Sequence, residues 1–279
     1  MKNVIHIDSL ELAELRPYRT MRRAVEHVKQ GIFVAESETV VKKLLTTNLA
    51  IVSILITQNR FDEIRHLIDE RGKKDFNIYL GEKELLEQIV GFDLHQGIMA
   101  VAKIPEPLLI EDAVKQSSQP YLFVALDGLT NADNLGVIVR NCVAFGVNAL
   151  IVGETSSSPY LRRAIRQSMG TVFDLPIVHT KNLRETLILL EGKFNTRCLA
   201  ADAHANDISI QDADLKKNIC IVLGSEGSGI REPVLEVCSE KITIPISDKI
   251  DSLNVASASA VFLWEVSRKN PLRSRRGRV

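Results

Sequence analysis

A chain of 279 residues suits one large domain or two small ones at about 100–200 residues each, and it can bury a core without staples. With 45% hydrophobic and 25% charged residues it is neither a disordered chain nor a collagen. Its 35 basic and 35 acidic residues cancel, so overall charge points to no polyanionic partner, and only local basic clusters can.

The first third alternates strand and helix signals. Ile32 to Ala35 reads as a short strand, and Val40, Val41, Leu44 and Leu45 recur at helical spacing. Ile51 to Thr57 is a β-branched strand run. Phe61, Ile64, Leu67 and Ile68 form a helical stripe ending near Gly72. A strand over Asn77–Leu80, a helix over Leu85–Val90 stopped at Gly91, and a strand over Ile98–Ile104 complete the set. Pro105 and Pro107 lack the N–H that a central strand needs, and Lys115 to Gln119 is polar. The expected division is therefore 1–104, a linker over 105–119, and 120–279.

The second part alternates more strongly. Strands are expected over 122–126, 149–152, 197–201, 219–223 and 241–244. Helices are expected over 135–145, 160–169, 183–190, 232–237 and 252–268. Nearly continuous apolar strands between helices argue for an α/β domain with a parallel sheet covered on both faces.

Three polar segments follow strands here. Asp127 to Gly136 leads into a helix carrying Arg140. Asp133 or Asn134 is a suitable N-cap for it. Arg140 stands among Val137, Ile138, Val139 and Val143, where a buried charge would need a partner or ligand. Gly224-Ser-Glu226-Gly-Ser-Gly229 follows an apolar strand, so the backbone can approach a ligand there. A tight turn without a ligand explains that loop about as well. Its spacing is not the dinucleotide G-x-G-x-x-G. No P-loop is present either, because Gly192-Lys193 precedes Phe194 and Gly72-Lys73 precedes Lys74. Ile244 to Val255 ends a strand and opens the last helix, with Ser252 as the expected N-cap. Ligands of open parallel sheets bind beyond the strands' carboxyl ends, so the three segments are expected to share one site.

The four cysteines form no CxxC pair, and no His lies at zinc-ligand spacing. No structural metal is expected. Cys142 and Cys220 read as buried thiols of a reducing compartment. The N-terminus has no apolar signal core, and no run reaches the ~18 apolar residues of a membrane helix. The expectation is a cytoplasmic protein without membrane attachment.

The three segments resemble the motifs of the SpoU (TrmH-like) RNA ribose 2′-O-methyltransferases. The first is similar to N-x-G-x-x-x-R, here Asn134-Leu-Gly136-Val-Ile-Val-Arg140, followed by Ala144-Phe145-Gly146. The second resembles L-G-x-E-x-x-G, here Leu223 to Gly229. The third resembles I-P through S-L-N-V, here Ile244-Pro245 and Ser252-Leu253-Asn254-Val255. Ser168-x-Gly170 before Pro176 also matches. More loosely, Gly31 to Glu36 and His95 to Ala100 resemble the substrate-binding domain often fused to this enzyme, itself similar to kink-turn-binding ribosomal proteins. The chain departs from the family where Asn131-Ala132-Asp133 replaces an Asp-Pro element and where Ala256 follows the third motif.

The resemblance implies a trefoil-knotted parallel-sheet methyltransferase domain preceded by a small α/β RNA-binding domain. It implies S-adenosylmethionine as methyl donor and a homodimer with Phe262 and Trp264 at the interface. Leu223, Gly224, Gly229, Ile244, Ile246 and Leu253 would contact the donor. Arg140, Asn134, Glu226, Ser252 and Asn254 would carry the chemistry. The family assigns the activating role to the arginine, yet a guanidinium is effectively always protonated. Arg140 is therefore either an unusual base or a group that orients the ribose and stabilises its alkoxide. RNA, ribosomal rather than transfer, is the expected substrate. Arg162, Arg163 and Arg166, spaced along one helical face, and Arg22 and Arg23 near Arg16 and Arg19 are candidate RNA contacts. So is the basic tail with Arg273, Arg275, Arg276 and Arg278. Alternatives are a transfer-RNA methyltransferase and a noncatalytic RNA-binding or ribosome-assembly protein with the same fold.

Overall fold

The computed structural model describes residues 3–71, 76–90, 97–203 and 208–270. Gly72, Gly91, His95, Gln96 and the tail arginines singled out above lie outside them. The chain divides into two compact units, Met1–Glu106 with Pro159–Phe173, and Pro107–Ser158 with Asp174–Val279.

In the first unit β1 (Asn3–His6) is followed by α1 (Arg16–Arg19), α2 (Ala24–Lys29) and β2 (Ile32–Glu36). Then come α3 (Glu38–Leu45), β3 (Ile51–Ile56), α4 (Gln58–Glu70), β4 (Asn77–Leu80), α5 (Lys83–Val90) and β5 (Ile98–Lys103). The sheet order is β1-β4-β3-β5-β2. The first three strands run parallel, and β5 is antiparallel to both neighbours. The periodic elements fall where the apolar spacing puts them. Sequence pattern misses β1, α1 and α2, because β1 has no buried alternation and each helix is too short for a periodic stripe. Leu15, Tyr18, Leu55, Tyr79, Leu86 and Met99 form one core cluster. The Tyr18 hydroxyl stays buried by pairing with Ser53 Oγ at 2.8 Å. Arg71 satisfies the end of α3 by donating to the carbonyls of Leu44, Leu45 and Thr47 at 2.9, 2.9 and 2.8 Å.

The second unit runs α6 (Ile110–Lys115), β6 (Leu122–Leu126), α7 (Ala132–Ala144) and β7 (Ala149–Val152). α8 (Arg162–Gln167) belongs to the first unit. After it come β8 (Ile177–His179), α9 (Leu183–Phe194), β9 (Arg197–Ala201), β10 (Ile208–Ser209), β11 (Ile219–Leu223), α10 (Glu232–Leu235), β12 (Glu240–Thr243) and α11 (Val255–Lys269). The sheet order is β10-β12-β9-β11-β6-β7-β8, with every pairing parallel. β6, β7 and β11 are buried at every residue, which is why they read as unbroken apolar runs. Phe123, Cys198, Cys220, Leu187 and Val222 belong to the core cluster between sheet and helices. All four cysteines are free thiols, and Cys142, Cys198 and Cys220 are buried.

Two caps differ from the sequence reading. Asn131, not Asp133 or Asn134, caps α7 by accepting from their backbone N–H groups at 2.9 and 3.3 Å. Asn254, not Ser252, caps α11 by accepting from Ala256 and Ser257 at 3.0 and 3.2 Å. Each helix starts later or earlier than its apolar stripe suggests, and the cap follows the first helical turn. α7 and α11 are joined by Asn141, whose Nδ2 donates to the Ala256 carbonyl and Ser259 Oγ at 3.0 and 2.9 Å. Small residues in α11 permit that approach: Ala256 and Ser259 are 5% and 1% exposed. Among the described residues no helix is long and apolar enough to cross a membrane, and no group of three or more His, Cys, Asp or Glu could hold a metal ion.

Candidate active site

The site lies beyond the carboxyl ends of β6, β11 and β12. β11 runs into the glycine loop, where Ser225 and Gly229 exchange backbone hydrogen bonds of 3.0 Å each way. The closure is tight. A Cβ on Gly224 would stand 2.2 Å from the Gly229 carbonyl carbon and 2.4 Å from Ile230 N. Gly229 turns the chain back at φ +65°. Ser225 Oγ accepts from Ser228 N at 3.1 Å and lies 2.8 Å from Ser228 Oγ.

This loop and the segment between β12 and α11 enclose a cleft of about 490 Å³. All six expected donor contacts line it: Leu223, Gly224, Gly229, Ile244, Ile246 and Leu253. Glu226 and Ser252 line it too. The volume falls within the ~300–1,000 Å³ of small-molecule sites. The walls pair a glycine backbone, open to a ligand's polar atoms, with aliphatic side chains suited to a flat ring. These residues fit the nucleoside methyl donor implied by the motifs.

Asn254 joins the three motifs. Its Oδ1 caps α11, while its Nδ2 donates to Asn134 Oδ1 at 3.1 Å and to Glu226 Oε1. An amide can do this because it carries an acceptor and two donors at once. Asn134, Glu226 and Asn254 are thus brought together at the cleft.

Arg140 is not part of that cluster. It follows Asn134 by six residues on α7, hence about 9 Å along the axis and ~240° around it. The burial expected from its apolar neighbours is also corrected. Val139 and Ile138 face the core, whereas Arg140 is exposed and makes no hydrogen bond or ion pair among the described residues. On α11, which packs against α7, Val261 and Trp264 are 37% and 58% exposed. Phe145 meets Trp264 edge-on at 6.5 Å. Phe262 departs from its expected place at an interface. It is 3% exposed and turned inward onto the cleft.

Sequence reading passed over one ionic network. Asp127, fully buried at the end of β6, accepts from the Arg231 backbone N–H and from Arg231 Nε, each at 2.7 Å. Arg231 Nη2 reaches Glu154 Oε1 at 2.6 Å, and Glu154 Oε2 accepts from Leu183 N at 2.9 Å. Burial works to raise the Glu154 carboxyl pKa, but backbone N–H groups and Arg231 outweigh it and hold the group below the usual carboxylate range. The hydrogen bond to Asp127 drives the Arg231 guanidinium further up. A carboxylate ending an apolar strand was the available signal, but its partner lies 104 residues away.

The basic faces are partly occupied. Arg162 and Arg166 both pair with Glu36, the latter at 3.1 Å. Their side chains are 19% and 50% exposed, so Arg162 reads as a packed ion pair and Arg166 as accessible. Arg163 shares the helix and is exposed. Arg22 and Arg23 are exposed beside α2, with Arg23 3.8 Å from Glu26.

Comparison with known proteins agrees with this layout. The profile of the SpoU rRNA Methylase family matches residues 121–264, and that of RNA 2′-O ribose methyltransferase substrate binding matches residues 39–108. The chain is 29% identical over 213 residues to the 23S rRNA (guanosine-2′-O-)-methyltransferase RlmB of Acinetobacter baylyi, covering 75% of this chain and 84% of that one. It is 27% identical over 274 residues to an uncharacterized tRNA/rRNA methyltransferase of Mycobacterium tuberculosis, covering 96% and 92%. Two solved structures share the fold. The AdoMet-bound rRNA methyltransferase from Sinorhizobium meliloti superposes with a TM-score of 0.80 at 22% identity, over 96% of this chain and 98% of that one. The SpoU methyltransferase AviRb from Streptomyces viridochromogenes, in complex with AdoMet, gives 0.78 at 20%, over 91% and 98%.

Proposed function

The chain belongs to the SpoU rRNA Methylase family, and from that premise we propose that it transfers a methyl group from S-adenosylmethionine to a ribose 2′-hydroxyl of ribosomal RNA. The observation that carries this reading is the bridge from Asn254 to Asn134 and Glu226 at the mouth of the glycine-loop cleft. It joins all three motifs in one place. A turn with no ligand to serve has no need of such a junction.

S-adenosylmethionine, when bound, supplies a methyl on a sulfonium that an aligned oxygen can displace in line. The chain's own part is positioning, which can contribute several kcal/mol. Leu223, Gly224, Gly229, Ile244, Ile246 and Leu253 hold the donor. Asn134 and Glu226, fixed by Asn254, orient the ribose. Ser252, at the cleft wall, holds an RNA phosphate or the donor's tail. Arg140 orients the 2′-oxygen and stabilises its developing negative charge while a substrate phosphate takes the proton, because a guanidinium stays protonated.

Arg140 is exposed and bonds to none of the cleft cluster within one chain, and in this reading a second copy supplies it. The exposed Val261 and Trp264 of α11 support a homodimer as the assembly that does so. Residues 1–104 recognise RNA through Arg22 and Arg23 and present it to the domain over 120–279, across the 105–119 linker. Arg163 and Arg166 add phosphate contacts. The trefoil crossing of the loops around the cleft belongs to this reading, as does work in the cytoplasm, where ribosomal RNA is found.

The test is transfer. Purified protein is incubated with methyl-labelled donor and total RNA from a strain lacking the gene, and the label is mapped. The expected result is a 2′-O-methylated ribose in ribosomal RNA, with loss of transfer in Arg140→Lys. Label confined to transfer RNA would overturn the substrate, and binding of RNA without transfer would overturn the enzyme assignment.

A further inference from the structure

The glycine loop has few anchors of its own. Glu226 to Gly229 are exposed; the loop is closed on itself by the Ser225–Gly229 pair and the serine contacts inside it, and Asn254 holds its tip at Glu226. Its exit is held from elsewhere. Arg231 stands two residues beyond Gly229, and Ile230 between them lines the cleft. Asp127 grips Arg231 twice, once at the backbone N–H and once at the guanidinium, so both the chain and the side chain are fixed. Glu154 takes the far end of the same guanidinium and ties it to the first residue of α9.

Asp127 is also the last residue before the turn at Gly128 that leads to the Asn131 cap and Asn134. One buried carboxylate is therefore the joint between the donor loop and the segment that presents Asn134. Burying it needs full pairing, since a lone buried charge costs several kcal/mol. Apolar packing would stabilise the fold as well without that cost, whereas a fork of directed bonds fixes a geometry.

We propose that Asp127, Arg231 and Glu154 are positioning residues that set the glycine loop against the Asn134 segment, and thereby the affinity for the methyl donor. The idea deepens the methyltransferase reading and rests on it. Neither Arg231 nor Glu154 lines the cleft, so their effect runs through the loop.

The experiment uses the full chain with Arg231→Lys and Glu154→Gln. Three quantities are read: S-adenosylmethionine affinity by calorimetry, amide exchange over residues 224–230, and steady-state transfer to RNA. The expected result for Arg231→Lys is donor binding weakened about tenfold, or ~1.4 kcal/mol, with faster loop exchange and an unchanged KM for RNA. Glu154→Gln falls between that variant and the parent, and carries the test if Arg231→Lys does not fold. A lowered melting temperature with donor affinity within about twofold and unaltered loop exchange would overturn the proposal, because the network would then stabilise the fold alone. Absence of donor binding by the parent protein would refute the proposed function instead, and loop exchange would then decide the positioning claim by itself.

Discussion

Asn254→Asp changes one side-chain nitrogen to oxygen and tests the site most directly. Asp caps a helix about as well as Asn, so α11 keeps its first turn. Both donor bonds are lost. The bond to Asn134 is a neutral one, worth ~0.5–1.5 kcal/mol, and the bond to the Glu226 carboxylate is worth ~1.5–3 when charge-assisted. Both bonds are solvent-accessible, with Glu226 exposed and Asn134 half-buried, so the lower ends apply. The new carboxylate also faces Glu226, adding about 1 kcal/mol of repulsion at 4 Å in water-like screening. The sum is a loss of about 3 kcal/mol. Two carboxylates at this distance raise each other's pKa in the folded state. The folded variant therefore binds more protons than the unfolded chain, and its deficit shrinks as pH falls from 7 toward ~5. Urea unfolding at several pH values reads this directly. Transfer to RNA should fall about a hundredfold, as expected for a misplaced reacting group, whereas Asn254→Ser keeps the cap and isolates loss of the bridge. A variant with parental stability at pH 7 and parental kcat/KM would refute the bridging role.

Other consequences follow from the same geometry. Gly224→Ala drives a Cβ to 2.2 Å from backbone and should cost about 1–3 kcal/mol with loss of donor binding, while Gly227→Ala, which meets nothing within 4 Å, should leave the unfolding midpoint in place. Native protein should react slowly with a thiol reagent at pH 8, with Cys238 first. Burial pushes that thiol up to about 12, and holds Cys142 higher still. All four cysteines should react once the chain unfolds in denaturant. Glu154, held low, contributes stability above its unfolded pKa of about 4.3, lost as pH falls through the folded value. Glu154→Gln should therefore flatten the acid limb of a melting-temperature profile. Neutralising Arg163 and Arg166 to Gln should weaken RNA binding and reduce its salt slope by about 1–2, whereas Arg162→Gln, which removes the more buried of the two partners of Glu36, should show mainly as lower stability.

Much of the fold was legible in the residues. Buried parallel strands such as Leu122–Leu126 and Ile219–Leu223 announce themselves because both of their faces are covered. Gly224 and Gly229 signal a close backbone approach, and the cleft forms there. Local pattern was silent where order comes from pairing. β1 and β8 have three or four residues each and take their shape from neighbours in the sheet. The caps moved to Asn131 and Asn254 because backbone geometry at the helix start, not the apolar stripe, selects them. Sequence alone set the buried apolar strands, the glycine loop and the list of polar residues, since each depends on neighbours within a few positions. Tertiary structure alone decided their partners. Asn254 meets Asn134 across 120 residues, and Asp127 meets Arg231 across 104. Arg140 is turned away from them, because a helix rotates about 100° per residue and packing fixes which face is covered.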